Sequence, residues 1–338
     1  MVRVLIAGLV AMVIAILIGP TFIDWLRRTG VGQQIREEGP ARHIVKQGTP
    51  TMGGLLILAT AVVPFLVLSV YTWPGLTLLA MTLACAAIGF ADDYLKVRKR
   101  RSLGLNGRWK MLGLVLITIG VGWVVTQVGY LDTEIYFPVI DVNIDLGIFY
   151  FPFLFVVIAG TSNGVNLTDG LDGLAAGTCV ISLLTFLAIA AISWIRSGEV
   201  GMRSDNYLDV AIFTAALIGG VIGFLWFNAF PAEVFMGDTG SMALGGAIAG
   251  LAVMTQTEVL LIFIGGIYLI EALSVIIQVG SFKRTGKRVF LMAPIHHHFE
   301  MKAWSETKVM VRFWIICAIL CASGFALFYG DFLQFIEP

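Results

Sequence analysis

The chain has 338 residues, of which 58% are hydrophobic and 13% are charged, and its mean hydropathy is +0.90. Soluble globular domains are about 45–50% apolar and about 25% charged, so this chain has too few polar groups to cover a water-facing surface. The formal net charge is zero, which gives no sign of nucleic-acid binding. The composition excludes an ordinary soluble domain and predicts an integral membrane protein.

Apolar runs recur along the whole chain. A helix needs roughly 20 apolar residues to cross the hydrocarbon core of a bilayer. We therefore predict an all-α, polytopic transmembrane bundle that forms one integral membrane domain over residues 1–338. We expect ten spans, at about 3–24, 51–71, 75–92, 111–130, 146–161, 171–195, 208–230, 239–256, 259–280 and 310–330.

The positive charges orient this bundle. Of the 22 Lys and Arg residues, only Arg3, Arg196 and Arg203 fall on the same side as the termini. Positively charged loops stay in the cytoplasm, so both termini are predicted on the outer, periplasmic side. The predicted cytoplasmic loops cover about 25–50, 93–110, 162–170, 231–238 and 281–309.

Two adjacent carboxylates, Asp92 and Asp93, close the predicted third span. Ionisable groups at membrane depth are costly and mark functional sites. Neighbouring carboxylates repel each other unless a cation lies between them, and on a helix they point about 100° apart, so each can have its own task. Alternatively, the pair is a solvated helix end that balances the bases at 96–101. An acidic pair at a helix C-terminus opposes the helix dipole, which disfavours that alternative.

Polar residues recur at every third position of the segment 163–173, which we predict to be a loop before the sixth span. They are Asn163, Asn166, Asp169 and Asp172. One of the aspartates could cap the following helix, but a cap needs only one such residue. The surplus favours contact with a ligand, and the glycines of the segment let backbone approach it closely.

Asp238 follows Gly237 at the start of the predicted eighth span. An aspartate there either caps the helix or holds Mg²⁺, which takes one or two carboxylates and completes its shell with water and phosphate oxygens. Asn228 and Phe235 precede it and provide an amide and an aromatic face suited to a nucleobase.

Three consecutive histidines, His296, His297 and His298, lie in the last predicted cytoplasmic loop. Consecutive residues do not share one helix face, so a zinc site is not indicated. Histidines in a loop suit the binding or protonation of phosphate oxygens, although an ordinary loop remains an alternative. The segment from Lys46 through Thr51 lacks a Walker A pattern, but Lys46 could still bind a pyrophosphate. The bases at 96–110 are most simply explained as topogenic.

All these clusters fall on the predicted cytoplasmic side. Together they provide carboxylates for Mg²⁺, lysine and histidine for phosphates, and aromatic and amide groups for a base. This set of groups is typical of phosphoryl transfer, in which catalysis depends mainly on positioning and charge neutralisation. A membrane enzyme with a cytoplasmic nucleotide site implies one soluble and one lipid substrate.

The motifs resemble those of a known superfamily. Asp92-Asp93, the segment 163–173 and Gly237-Asp238 resemble the polyprenyl-phosphate hexose-1-phosphate transferases. Within that superfamily, the Gly-Thr-Pro-Thr-Met-Gly-Gly segment at 48–54 and the Pro-Ile-His-His-His-Phe-Glu segment at 294–300 are similar to the bacterial phospho-N-acetylmuramoyl-pentapeptide transferases. The resemblance covers essentially the whole chain.

The resemblance implies a reaction and a location. Phospho-MurNAc-pentapeptide would pass from UDP-MurNAc-pentapeptide to undecaprenyl phosphate, giving lipid I and UMP. The enzyme would need Mg²⁺, form a homodimer and lie in the bacterial inner membrane with its active site facing the cytoplasm.

The resemblance also implies roles for individual residues. Asp238 would bind Mg²⁺, Asp93 would support the metal or the diphosphate, and Asp92 would activate the lipid phosphate. His297 would act in catalysis beside these aspartates. Substrate-binding residues would be Lys46, Thr51, Asn166, Asp169, Asp172, Asn228, Phe235, His296 and His298.

Alternatives remain at this level. A related enzyme could use UDP-GlcNAc as donor, although the 294–300 motif argues against it. A secondary transporter also has about ten spans, but its charges lie near the bilayer centre and often in inverted repeats. The reaction could proceed in one step, or through a covalent phospho-sugar enzyme formed on a carboxylate. We favour the one-step route.

Overall fold

The fold was analysed in a computed structural model, which describes residues 1–30, 32, 48–99, 101, 103–127, 133–138 and 140–334. Within them the regular elements are helices and one small two-stranded hairpin. The helices are α1 Val2–Arg28, α2 Gly54–Leu68, α3 Trp73–Lys99, α4 Gly107–Gln127, α5 Tyr150–Thr168, α6 Leu174–Arg196, α7 Asp205–Asn228, α8 Gly237–Met254, α9 Leu261–Ile264, α10 Gly266–Thr285, α11 Ile295–Met301 and α12 Glu306–Gln334. The predicted all-α membrane class is confirmed.

Each predicted span overlaps one of these helices. In the described part of the chain, eight helices are long and apolar enough to cross a membrane. Helix α2 is apolar but has only 15 residues, so it is not one of these eight helices. Helix α8 is not one of them either. The predicted ninth span is divided at Gly265 between α9 and α10. The count of ten spans and the side on which the termini lie stay predictions.

Helix α8 lies in the interior of the bundle, and almost every residue in it is buried. Its glycines allow this position, because small residues let membrane helices approach closely. A Cβ added at Gly245 would lie 2.5 Å from the Cα of Ser162 in α5, and one added at Gly246 would lie 2.6 Å from Sγ of Cys85 in α3. Helix α8 is therefore closely packed against both α3 and α5.

Two helices extend further than the sequence pattern predicted. Helix α3 continues to Lys99, so Asp92 and Asp93 lie inside it and not at its end. Helix α5 continues to Thr168, so Asn163 and Asn166 project from a helix, and their prediction as loop residues was wrong. Side chains on α5 bond back to its own carbonyls: Asn163 Nδ2 donates to Ala159 O at 2.8 Å, and Thr168 Oγ1 donates to Gly164 O at 2.8 Å.

The acidic segment before α5 forms an antiparallel hairpin, which the sequence did not indicate. Strand β1 (Glu134–Phe137) pairs with β2 (Val142–Asp145), with Glu134 opposite Asp145. Both strands have only four residues, β2 is exposed throughout and only Ile135 of β1 is buried, so they give little of the alternating pattern by which strands are recognised.

At the end of the bundle opposite the acidic motifs, a fully buried carboxylate joins three helices. Asp209 of α7 accepts hydrogen bonds from Ser69 Oγ, Val70 N and Thr72 N, each at 2.8 Å, and from Thr72 Oγ1 at 3.0 Å. These groups form the connection between α2 and α3. Asp209 therefore fixes that connection against α7.

We expect Asp209→Ala to lower the free energy of unfolding by at least about 2 kcal/mol, because it leaves several buried donors without an acceptor. Thermal unfolding in detergent would measure the loss. Asp205→Ala, at the exposed first turn of the same helix, is the control and should change stability by less than about 1 kcal/mol. Equal melting temperatures for the two variants would contradict this role of Asp209.

Candidate active site

Three carboxylates meet at one end of the bundle. Asp92 and Asp93 come from α3 and Asp238 from the first turn of α8, and one oxygen from each lies within 4.8 Å of the others. Asp92 and Asp93 are buried, and the side chain of Asp238 is 15% exposed. Gly89 makes this meeting possible, because a Cβ on it would overlap the carbonyl oxygen of Asp238. We call Asp92, Asp93 and Asp238 the acidic cluster, and this end of the bundle the site end.

Two lysines lie inside the acidic cluster. Lys96 Nζ is 2.5 Å from Asp92 Oδ2 and 2.9 Å from Asp238 Oδ1. Lys110 Nζ, from the first turn of α4, is 2.9 Å from Asp92 Oδ1 and 2.6 Å from Asp238 Oδ2. The topogenic explanation of the bases at 96–110 had not assigned these two lysines to the site. The available signal was the i,i+4 spacing from Asp92 to Lys96, whereas nothing in the sequence marked Lys110.

The two adjacent aspartates have different partners, as their angular separation on a helix predicted. Asp92 Oδ1 also accepts the backbone N–H of Leu105 at 2.7 Å, so the segment before α4 covers it. Asp93 instead binds the N-terminus of α8: its oxygens accept Asp238 N at 3.1 Å, Thr239 N at 2.8 Å and Thr239 Oγ1 at 2.7 Å. A carboxylate at a helix N-terminus satisfies free N–H groups and fits the helix dipole. Asp93 thereby fixes the backbone that carries Asp238.

The acidic cluster is a candidate site for a divalent metal ion. All of its donor atoms are carboxylate oxygens, which hard cations such as Mg²⁺ and Ca²⁺ prefer. Three carboxylates in a buried position repel one another and need positive charge, and in this structure the two lysine ammonium groups provide two of the three charges required. The residues present therefore fit a cation by charge and by donor chemistry.

The turn after α5, residues 169–173, lies beside the acidic cluster. Asn166 in the last turn of α5 donates to Ser241 Oγ of α8 at 2.9 Å. Burial raises the pKa of Asp169 to about 8, and the charges of Asp238 and Asp93 act in the same direction. Asp169 is therefore close enough to Asp238 and Asp93 for their charges to act on it.

Asn228 and Asp172 hold two segments of the site together. Asn228 Oδ1 accepts Gly173 N at 3.1 Å, while its Nδ2 donates to Val234 O at 2.9 Å. Asp172 Oδ2 accepts Ala232 N at 3.0 Å. Both side chains are buried. The structure thus uses the amide of Asn228 to join the 169–173 turn to the segment before α8, a role that sequence reasoning had not assigned.

Phe235 and Thr51 lie next to the start of α8. Phe235 pairs through its backbone with residues before α2: its N–H donates to Pro50 O and its carbonyl accepts Gly53 N, both at 2.8 Å. Thr51 is buried against Gly237, where a Cβ would lie 2.9 Å from Thr51 Oγ1. Gly237 has a φ of +74°, which favours glycine. Lys46 lies outside the described residues.

The three histidines have three separate partners. The segment predicted as a loop contains the short helix α11, on which the rings of His296 and His297 lie 4.1 Å apart between centroids. His296 is fully buried, with Nδ1 3.0 Å from Glu271 Oε1 of α10, and it contacts Gly170 of the 169–173 turn. His297 Nδ1 lies 2.6 Å from Glu300 Oε2, and His298 Nδ1 accepts Leu291 N at 3.1 Å. The ring of His296 therefore lies against that turn.

The fold and the acidic cluster define a polytopic membrane enzyme of the glycosyl transferase family 4 class, whose family description matches residues 75–256. Residues 46–58 also match the phospho-N-acetylmuramoyl-pentapeptide-transferase signature 1. Curated proteins named phospho-N-acetylmuramoyl-pentapeptide-transferase align over nearly their whole length. The chain belongs to this family, and the resemblance inferred from its motifs is confirmed.

Three relatives illustrate the extent of the similarity. The protein from Halalkalibacterium halodurans is 49% identical over 319 residues, which cover 93% of this chain and 94% of the relative. The protein from Frankia alni is 47% identical over 352 residues and 98% of both chains. The protein from Corynebacterium jeikeium is 44% identical over 362 residues and 99% of both chains. These findings support the main interpretation over a UDP-GlcNAc transferase or a transporter.

Proposed function

We propose that this chain transfers phospho-MurNAc-pentapeptide from UDP-MurNAc-pentapeptide to undecaprenyl phosphate, giving lipid I and UMP. The observation that carries the proposal is the acidic cluster with Lys96 and Lys110, in a chain that matches the family over nearly its full length. A site at the end of membrane-spanning helices suits a reaction between a soluble nucleotide and a lipid phosphate.

We propose Mg²⁺ as the metal, held by Asp238 with Asp93 beside it. Mg²⁺ is usually bound in proteins through one or two carboxylates and keeps places for phosphate oxygens and water. When bound, it would neutralise charge on the donor diphosphate. Asp93 already accepts three hydrogen bonds from the start of α8, so its main contribution would be to orient Asp238.

In the proposed reaction, Asp92 accepts the proton of undecaprenyl phosphate. A phosphate oxygen of the lipid then forms a bond to the phosphorus that carries MurNAc, the bond from that phosphorus to the UMP oxygen breaks, and UMP leaves. Lys96 and Lys110 approach both Asp92 and Asp238, so their ammonium groups are placed to neutralise phosphate oxygens during the transfer. His297 is proposed to assist at the sugar phosphate.

The 169–173 turn and its neighbours are proposed to bind the donor. Asn166 donates to Ser241 in the first turns of α8, and the charges of Asp238 and Asp93 act on Asp169. Asp172 and Asn228 support the wall of this pocket through the backbone contacts described above. The other proposed substrate-binding residues are Lys46, Thr51, Phe235, His296 and His298.

The site end is proposed to face the cytoplasm of a bacterial inner membrane, and the enzyme is proposed to be a homodimer. The concentration of Lys and Arg at the site end supports this orientation. The dimer rests on the family resemblance, and light scattering of the protein in detergent would measure it. A mass of one protomer at micromolar concentration would reject the dimer.

The function is tested by UMP release from purified protein in detergent. We expect UMP only when UDP-MurNAc-pentapeptide, undecaprenyl phosphate and Mg²⁺ are all present. Excess EDTA should abolish release, and added Mg²⁺ should restore it. Turnover with UDP-GlcNAc but not with the pentapeptide donor would reject the substrate, and undiminished release in EDTA would reject the metal.

The one-step route is tested separately. Enzyme incubated with donor labelled in the phosphate attached to MurNAc, without lipid acceptor, should retain no label after denaturation. Labelled protein that disappears in Asp92→Asn would instead establish a covalent phospho-sugar intermediate on that carboxylate.

A further inference from the structure

A carboxylate that has no role in the proposed reaction, Glu271, is paired with the imidazole of His296 inside the protein. Glu271 lies on the membrane-spanning helix α10, and both it and His296 are fully buried. Glu271 Oε1 is 3.0 Å from His296 Nδ1. Among the described residues, Glu271 Oε2 and His296 Nε2 are buried atoms without a hydrogen-bond partner. Ionisable pairs at membrane depth are costly, and unsatisfied atoms in them indicate a function.

The overall charge of the Glu271–His296 pair decides which ring nitrogens of His296 carry a hydrogen. A buried pair is most stable when it is electrically neutral as a whole. There are two such states: a carboxylate with a doubly protonated imidazole, or a protonated carboxyl whose O–H bonds to Nδ1. In both states Nε2 carries a hydrogen. Pairing with Glu271 therefore makes Nε2–H a hydrogen-bond donor without a partner.

That donor lies against the 169–173 turn. A Cβ added at Gly170 would overlap His296 Nε2, and Gly170 itself is partly exposed. Nε2 thus occupies the place that a side chain at position 170 would fill, next to the partly exposed backbone of the turn. The neighbouring Asp169 is among the residues proposed to bind the nucleotide donor.

We propose that Glu271 is a positioning residue that keeps the Nε2–H of His296 directed at the 169–173 turn, for donation to an oxygen of the nucleotide-sugar substrate. This inference rests on the proposed function. Gly170 is the second part of the arrangement, because any side chain there would overlap the imidazole that Glu271 holds in place. The contact is made to the donor and not to the lipid phosphate.

The test measures the KM of each substrate separately in the UMP-release assay. Glu271→Met should raise the KM for UDP-MurNAc-pentapeptide by about 10-fold or more, because this is the usual effect of losing a hydrogen bond to a charged group. The same variant should leave the KM for undecaprenyl phosphate unchanged. Glu271→Gln should retain most of the affinity, because its amide N–H can donate to Nδ1 and leave the hydrogen on Nε2.

Glu258→Gln is the matched control. Glu258 is also a buried glutamate, and its carboxylate lies 3.4 Å from Tyr150 Oη. It lies between α8 and α9, beyond the end of α8 that is opposite the site end. This variant should leave both KM values unchanged. This control measures how much the two KM values change when the protein loses a buried carboxylate that is not paired with His296.

Gly170→Ala provides an independent measurement. Alone, it should raise the donor KM as Glu271→Met does, because the imidazole is held by Glu271 and cannot move away. In the double variant the imidazole is already free, so the two effects should not add. Additive effects, an unchanged donor KM in Glu271→Met, or equal changes in both KM values would overturn the proposal. A wild-type protein that releases no UMP would instead reject the proposed function.

Discussion

Asp238→Asn is expected to lower kcat for UMP release by at least about 1,000-fold, because it removes the carboxylate proposed to bind the metal and to face both lysines. The protein should still fold. The variant leaves two carboxylates opposite two ammonium groups, so the acidic cluster becomes closer to neutral than in the native protein. The measurements are the initial rate at saturating substrates and the melting temperature in detergent.

Asp24→Asn makes the same chemical change at an exposed carboxylate, which lies 3.5 Å from Arg27 on α1. Exposed ion pairs of this kind contribute little, so activity and melting temperature should stay at the native level. If Asp238→Asn kept more than one tenth of the native rate, Asp238 would not be the principal metal ligand.

Gly89→Ala is expected to lower both activity and stability, although Gly89 has no chemical group of its own. The added methyl would overlap the carbonyl oxygen of Asp238, and backbone cannot move away as a flexible side chain can. Helices α3 and α8 must then separate. We expect a loss of stability of about 1–3 kcal/mol from overpacking, and a fall in kcat of about 100-fold from displacement of Asp92 and Asp93 relative to Asp238.

Gly120→Ala is the matched control, because a Cβ at this helical glycine would meet nothing within 4 Å. Alanine favours helix over glycine by about 0.5–1 kcal/mol, so this variant should be as stable as the native protein or more so, with unchanged activity. Native kcat in Gly89→Ala would show that the site tolerates separation of the two helices.

Much of the site was predictable because lipid makes polar residues conspicuous. In a chain with 13% charged residues, Asp92-Asp93, Asp169, Asp172, Asp238 and the three histidines stand out against apolar runs. The distribution of Lys and Arg predicted that these residues lie on the same side of the membrane, since translocation of positive charge is disfavoured. Helix ends were less predictable: α3 and α5 continue past the expected boundaries, because protein partners and not water surround their polar residues.

The sequence by itself determined the membrane class, the order of helices and the segments that meet at the site end, because these depend on hydrophobicity and on motif identity. The tertiary structure decided the partners. It placed Lys96 and Lys110 between the aspartates, used Asp93 to fix the start of α8 and Asn228 to join two segments, and paired His296 with Glu271. Such contacts join residues up to 146 positions apart, and local sequence patterns do not contain that information because they report only on neighbours along one helix.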